Sequence, residues 1–73
     1  MDATMNFEPI TVVLEREGET LTFGRLNTAL QLLNKLGLGV NDCLIIRGSE
    51  LLTSDRTIYK GDLITVRTVV SRG

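Results

Sequence analysis

Polar and apolar residues alternate in the first third of the chain, and this alternation predicts a β-hairpin. Ile10, Val12 and Leu14 occupy every second position, so their side chains share one face of an extended strand. A Glu-Gly-Glu turn follows at residues 17–19. The Thr-Leu-Thr segment at residues 20–22 is then expected to return as a short second strand.

The spacing of apolar residues then changes to three and four, which predicts one amphipathic helix. The apolar stripe of this helix comprises Leu26, Ala29, Leu30, Leu33 and Leu36. Thr22 is expected to be the N-cap, because its hydroxyl can accept a hydrogen bond from an N–H group of the first turn. Gly37 is expected to end the helix in the left-handed conformation. Leu32 lies off the stripe and is expected to be partly exposed.

The next segment has the composition of a strand rather than the spacing of a helix. Residues 43–47 (Cys-Leu-Ile-Ile-Arg) form an apolar run rich in β-branched side chains, which is typical of a strand. Gly48 and Ser49 suit a two-residue hairpin connection. Residues 50–52 are therefore predicted to return as a short strand, and a polar crossing follows over residues 53–60.

The last and longest strand is predicted for residues 63–70, after a turn at Gly61 and Asp62. The alternation of its side chains defines two faces. One face carries Ile64, Val66, Thr68 and Val70, and the other carries Leu63, Thr65, Arg67 and Val69. The first set is expected to point inward and the second set outward.

The predicted element order is β-β-α-β-β-β, which places the protein in the α+β class, with one helix packed across one face of a sheet. The chain has 73 residues, so we expect a single domain over residues 1–73. Residues 1–8 lack periodicity and are expected to be frayed. A domain of this size must bury nearly all of its apolar residues in one core to be stable.

The charges are balanced, with 8 basic and 9 acidic residues and a net charge of −1. They form no basic block, so nucleic acid is not an expected partner, because phosphate neutralisation requires clustered Lys and Arg. No apolar run approaches the ~18 residues of a membrane span, and no signal peptide is recognisable. The single Cys43 cannot form an internal disulfide, which fits a reducing compartment. We therefore expect a cytoplasmic protein without a membrane partner.

The residue types that most often carry catalysis are scarce. The sequence contains no histidine, which excludes a Cys–His nucleophile and a zinc site of the usual Cys/His kind. Cys43 is expected to be a small packed apolar residue rather than a reactive thiol. We therefore expect a substrate or carrier protein rather than an enzyme, with no metal and no bound cofactor.

Residues 44–73, LIIRGSELLTSDRTIYKGDLITVRTVVSRG, resemble the C-terminal half of the ThiS/MoaD sulfur-carrier proteins. In that family a hairpin and a short loop lead through a Gly-Asp turn to a final strand and a Gly-Gly tail. Gly61-Asp62 matches the turn, and Ser71-Arg72-Gly73 matches the tail. The segment LTFGRLNTALQLLNKLGL matches the single helix of the family, so the resemblance covers residues 9–73. It implies a ubiquitin-like β-grasp fold with a mixed sheet, in which the last strand lies centrally and runs parallel to the first.

The resemblance also implies a function for the flexible C-terminal tail, residues 71–73. A ThiF/MoeB-like adenylating enzyme would use ATP to activate the carboxylate of Gly73, and a sulfide or persulfide donor would then displace AMP. The resulting thiocarboxylate would pass its sulfur to a synthase, either thiazole synthase in thiamin biosynthesis or the large subunit of molybdopterin synthase. Fully extended, the tail beyond Val70 would reach about 10 Å.

The exposed face of the sheet is the expected partner-binding surface. Its candidate residues are Thr65, Arg67, Val69, Val13 and Ile45. Arg72 stands where the family has glycine, and this difference leaves a second interpretation of the function open. Glycine lets the backbone enter a narrow channel without a Cβ. The alternative is therefore a non-reactive β-grasp module that binds partners and is never adenylated.

Overall fold

The computed structural model describes residues 8–69, and the strands and helix there follow the predicted order β-β-α-β-β-β. They are β1 (Ile10–Leu14), β2 (Glu19–Phe23), α1 (Ala29–Leu36), β3 (Cys43–Arg47), β4 (Glu50–Leu52) and β5 (Leu63–Thr68). The predicted tail, Ser71-Arg72-Gly73, and the predicted fraying of residues 1–7 lie outside the described residues. Glu8 is held in place, because its carbonyl accepts a hydrogen bond from the Gly61 N–H at 3.1 Å.

The strands form one mixed sheet in the order β2-β1-β5-β3-β4. The central strand β5 pairs in parallel with β1, where Val12 lies opposite Ile64. On its other side β5 pairs antiparallel with β3, where Ile45 lies opposite Val66. The last strand is therefore central and runs parallel to the first, as predicted, and the β-grasp topology is confirmed.

Helix α1 packs across one face of this sheet and closes an apolar core. The core residues are Ile10, Val12, Leu26, Ala29, Leu32, Leu33, Cys43, Ile45, Leu52, Ile58, Ile64 and Val66. No polar or charged residue is buried within residues 8–69. The predicted inward positions of Ile64 and Val66 on the last strand are confirmed. No helix in this part of the chain is long and apolar enough to cross a membrane.

The predicted start of the helix is wrong, because Thr28 and not Thr22 is the N-cap. Thr22 belongs to β2, where it lies opposite Thr11 of β1. The Thr28 hydroxyl accepts a hydrogen bond from the Gln31 N–H at 3.3 Å. Two further N–H groups at the helix start donate to carbonyls of residues 54–56. Thr22 is therefore paired within the sheet and cannot cap the helix. Hydrogen bonds to a neighbouring loop stabilise the helix start at Thr28 instead.

The predicted buried stripe also changes because the helix begins later. Leu32 is fully buried, with 0% of its surface exposed, whereas Leu30 is 45% exposed. Ala29, Leu32 and Leu33 form the face that meets the sheet, at spacings of three and four residues. The prediction of a partly exposed Leu32 is therefore wrong. The predicted C-terminus is confirmed, since Gly37 ends the helix with a φ of 74°.

Candidate functional site

The face of the sheet opposite the helix is here called the outer face. Strand registers place one row of side chains across the whole sheet, in the order Thr20, Val13, Thr65, Ile46 and Leu51. These residues alternate along their strands with the core residues, so their side chains point away from the helix. The outer face therefore carries the smaller side chains Thr20, Val13 and Thr65 on β2, β1 and β5, and larger apolar ones on β3 and β4.

Three predicted interface residues lie on this outer face. Val13 and Thr65 stand opposite each other in the parallel β1–β5 pair. Arg67 lies two residues further along β5 and is exposed. Val69 follows the strand and is also exposed, and its N–H donates to the Asp42 carbonyl at 2.9 Å. The sequence-based assignment of these four residues to the solvent side therefore agrees with the structure.

Ile45 is the exception, and its assignment to the exposed face is wrong. Ile45 lies opposite Val66 and is only 4% exposed, so it belongs to the core. Its neighbours Leu44 and Ile46 occupy the outer face instead. Four consecutive apolar residues begin β3, so alternation alone could not distinguish its inward from its outward positions.

An ion pair marks one side of the outer face. Arg67 donates from Nε to Glu15 Oε1 at 2.7 Å and from Nη2 to Glu15 Oε2 at 3.2 Å. This two-bond contact lowers the pKa of the Glu15 carboxyl. Both side chains are about half exposed, so solvent screens the pair and its contribution to stability is small. Its main effect is to hold the Arg67 guanidinium in a fixed position beside the outer row.

Exposed apolar side chains lie in this row and beside it. Leu51 and Leu63 are 61% and 58% exposed, and Leu44 is exposed as well. Leu44 lies opposite Arg67, and Leu63 lies opposite Thr11. Exposed apolar side chains grouped on one face are typical of protein-binding surfaces. The outer face can therefore contact a partner through apolar surface that lies beside the Glu15–Arg67 pair.

The position of β5 bears on the predicted tail. Its last residue, Thr68, lies opposite Cys43 of β3, and the Val69 hydrogen bond to Asp42 extends this anchoring by one residue. Hydrogen bonds therefore hold the chain in the centre of the sheet as far as Val69, which lies four residues before Gly73.

Cys43 is buried, as predicted from its place at the start of a strand. Burial raises the pKa of its thiol, and the charge of Asp42 adds to this effect. A raised pKa keeps the sulfur in its less nucleophilic thiol form. Within residues 8–69, no three His, Cys, Asp or Glu side chains come together in a group that could hold a metal ion.

The structural comparison agrees with the observed topology. The chain is similar to the solution structure of a computationally designed protein based on the template of human erythrocytic ubiquitin, with a TM-score of 0.67 and 25% sequence identity. The match covers 90% of this chain and 96% of the designed one. No protein-family model and no curated protein matches the sequence. The fold is therefore that of a ubiquitin-like β-grasp domain.

Proposed function

We propose that this protein is a sulfur carrier whose reactive group is the carboxylate of Gly73. A ThiF/MoeB-like enzyme would join that carboxylate to AMP with release of pyrophosphate from ATP. Attack of sulfide on the acyl carbon would then break the bond to AMP and leave a thiocarboxylate. A sulfur-accepting synthase, in thiamin thiazole or molybdopterin biosynthesis, would use this sulfur as its nucleophile.

The observation that carries the proposal is the central position of β5. Residues 70–73 directly follow a strand that is hydrogen-bonded to a neighbour on each side. A carrier requires a rigid body that presents a short tail, because a partner can then guide the tail into its active site at little entropic cost. The resemblance of residues 9–73 to the ThiS/MoaD family supports the same function.

Partner recognition is assigned in this proposal to the outer face. Thr65, Arg67 and Val13 remain its central residues, and Ile46 replaces Ile45 because only Ile46 faces outward. Leu51 at the end of the row offers the largest exposed apolar surface among these strand residues. An adenylating enzyme would bind this face while the tail occupies its active site.

A second function, a non-reactive protein-binding module, is favoured by one specific feature. Arg72 places a long charged side chain where the sulfur carriers have glycine. A channel that accepts only backbone would exclude this side chain. In that case the outer face would bind a partner and Gly73 would never be modified.

Intact-mass spectrometry tests the first function directly. The 73-residue chain would be incubated with ATP, sulfide and a ThiF/MoeB-like enzyme, with a chain lacking Gly73 as the control. The proposal expects a mass gain equal to the exchange of one oxygen for sulfur in the full chain only. Modification of an Arg72→Gly variant but not of the natural sequence would favour the binding module.

Docking through the outer face can be tested separately. A Leu51→Glu variant should weaken binding to the adenylating enzyme, because it buries a charge in an apolar contact. Leu30→Glu is the matched control, since Leu30 is an exposed leucine on the helix, on the opposite side of the sheet. If the two variants bound the adenylating enzyme equally well, the outer face would not be its docking surface.

A further inference from the structure

A concave surface lies away from the outer face, between the connection that follows β2 and the connection that precedes β5. The two connections are joined where the Ile58 N–H donates to the Asn27 carbonyl at 3.0 Å. From there they enclose a cleft of about 600 Å³ that extends to Gly24 and Lys60. Its floor is formed by the core residues Ile10, Leu26 and Ile58, which are at most 4% exposed, so a ligand would meet mainly the side chains at the rim.

The rim of the cleft carries positive charge. Arg25 and Lys60 both line it and both are exposed. Neither forms an ion pair with any residue between positions 8 and 69. Tyr59, which is 61% exposed, adds an aromatic side chain to the same rim. Two cations and an aromatic ring around one cleft suit a ligand that is both aromatic and anionic.

The wall that carries Tyr59 is held in place by short contacts. The Tyr59 N–H donates to Asp62 Oδ2 at 2.9 Å, and the Asp62 N–H returns a bond to the Tyr59 carbonyl at 3.1 Å. The Arg47 guanidinium lies 5.6 Å from the centre of the Tyr59 ring. A wall fixed before binding reduces the entropy that a ligand must overcome.

We propose that this cleft binds a small organic anion, with a planar apolar body against Tyr59 and a phosphate or carboxylate between Arg25 and Lys60. The cleft volume lies in the range of about 300–1,000 Å³ that is usual for small-molecule sites. A ligand with this chemistry can contact the Tyr59 ring and both cations at once. Neither a neutral aromatic compound nor inorganic phosphate alone can do so.

The site is separate from the proposed sulfur chemistry. Because β1 and β5 are parallel, the starts of both strands lie at one end of the sheet. The cleft is at that end, since Ile10 begins β1 and Lys60 precedes β5. Residues 70–73 follow the opposite end of β5. A ligand in the cleft would therefore leave the outer face accessible.

Amide NMR titration with phenyl phosphate tests the proposal, with phenyl carboxylate (benzoate), phenol and inorganic phosphate as parallel probes. Saturable shifts are expected at residues 24–26 and 58–61 with the two aromatic anions. Phenol and inorganic phosphate should bind more weakly, and added salt should weaken binding of the anions. Shifts confined to the outer face, or no saturable shift at millimolar probe, would overturn the proposal.

Variants identify the groups responsible. Arg25→Gln and Lys60→Gln should each weaken phenyl phosphate binding by about fivefold. Lys35→Gln is the control, because Lys35 is an exposed cation in the last turn of the helix and does not line the cleft. Both cleft residues are exposed, and an unchanged amide spectrum elsewhere would show that each variant is folded. Equal affinity of the control and the two cleft variants would contradict the assignment.

Discussion

Arg47 Nη1 lies 2.9 Å from Asp62 Oδ2, and this contact joins the end of β3 to the turn before β5. Arg47 stands opposite Ile64, so it occupies the helix-facing side of β3 despite its charge. Asp62 raises the pKa of Arg47 by accepting its hydrogen bond. Arg47 also donates to the Thr57 carbonyl at 3.0 Å. The carboxylate thus compensates an arginine at the margin of the core and fixes the crossing loop.

Replacement of Asp62 should therefore destabilise the fold. Asp62→Ala removes the acceptor of both the Arg47 guanidinium and the Tyr59 N–H, and about 1–2 kcal/mol should be lost from the free energy of unfolding. Urea unfolding measures this loss. Glu15→Gln is the control, because its contact with Arg67 joins two exposed side chains away from Arg47 and should contribute less than about 1 kcal/mol. A smaller effect of the Asp62 change than of the control would contradict this account.

The pair formed by Glu15 and Arg67 predicts a pH dependence. The hydrogen bond from Arg67 lowers the pKa of the folded Glu15 carboxyl. The stabilisation is therefore complete above the ordinary glutamate pKa and is lost as pH falls through the lowered value. An NMR titration of the Glu15 carboxyl carbon should have its midpoint below the ordinary value, and Arg67→Gln should raise it. Arg16→Gln should leave it almost unchanged, and equal midpoints in both variants would exclude the pair.

The helix cap can be tested with two matched substitutions. Thr28→Val retains the branched shape but removes the hydroxyl that caps Gln31, and it should cost about 1 kcal/mol of stability. Thr22→Val makes the same change on an exposed position of β2 and should cost much less. Chemical denaturation of both variants measures the difference. A larger loss of stability for the Thr22 variant would indicate that Thr22, and not Thr28, caps the helix.

Two leucines of the helix should respond very differently to truncation. Leu32→Ala leaves a cavity beneath the helix and should cost about 2–5 kcal/mol, because Leu32 is fully buried. Leu30→Ala should cost well under half as much, since Leu30 is 45% exposed. Circular dichroism during thermal unfolding would show the order. Similar melting temperatures for the two variants would contradict the observed orientation of the helix.

Several features of the fold could be predicted from short stretches of sequence. The strands at residues 10–14 and 43–47 follow from alternation or β-branched composition, and the turn at Gly61 follows from local chain geometry, as its φ of 84° requires. The orientation of β3 could not be predicted, because Leu44, Ile45 and Ile46 are equally apolar. Only pairing with β5 decides which of them faces the helix.

Of the candidate sites, the outward positions of Thr65 and Arg67 could be inferred, since polar residues alternate with Ile64 and Val66 along β5. The cleft could not be inferred, because its two walls meet at the hydrogen bond between Asn27 and Ile58, which are 31 positions apart in the chain. Gly24 belongs to one connection and Ile58 to the other, and no local pattern joins them. The sulfur-carrier function stays a prediction that rests on the tail.

The sequence by itself determined the kinds of secondary structure, their order and the turns between them, because these depend on periodicity and on residues within a few positions of each other. The tertiary structure decided where the helix begins, which face of β3 is buried and which charge compensates Arg47. Each of these depends on partners distant in the chain: β1 for Thr22, β5 for Ile45, and the turn before β5 for Arg47. Local preferences at these positions are nearly equal, so the free energy of packing and pairing selects among them.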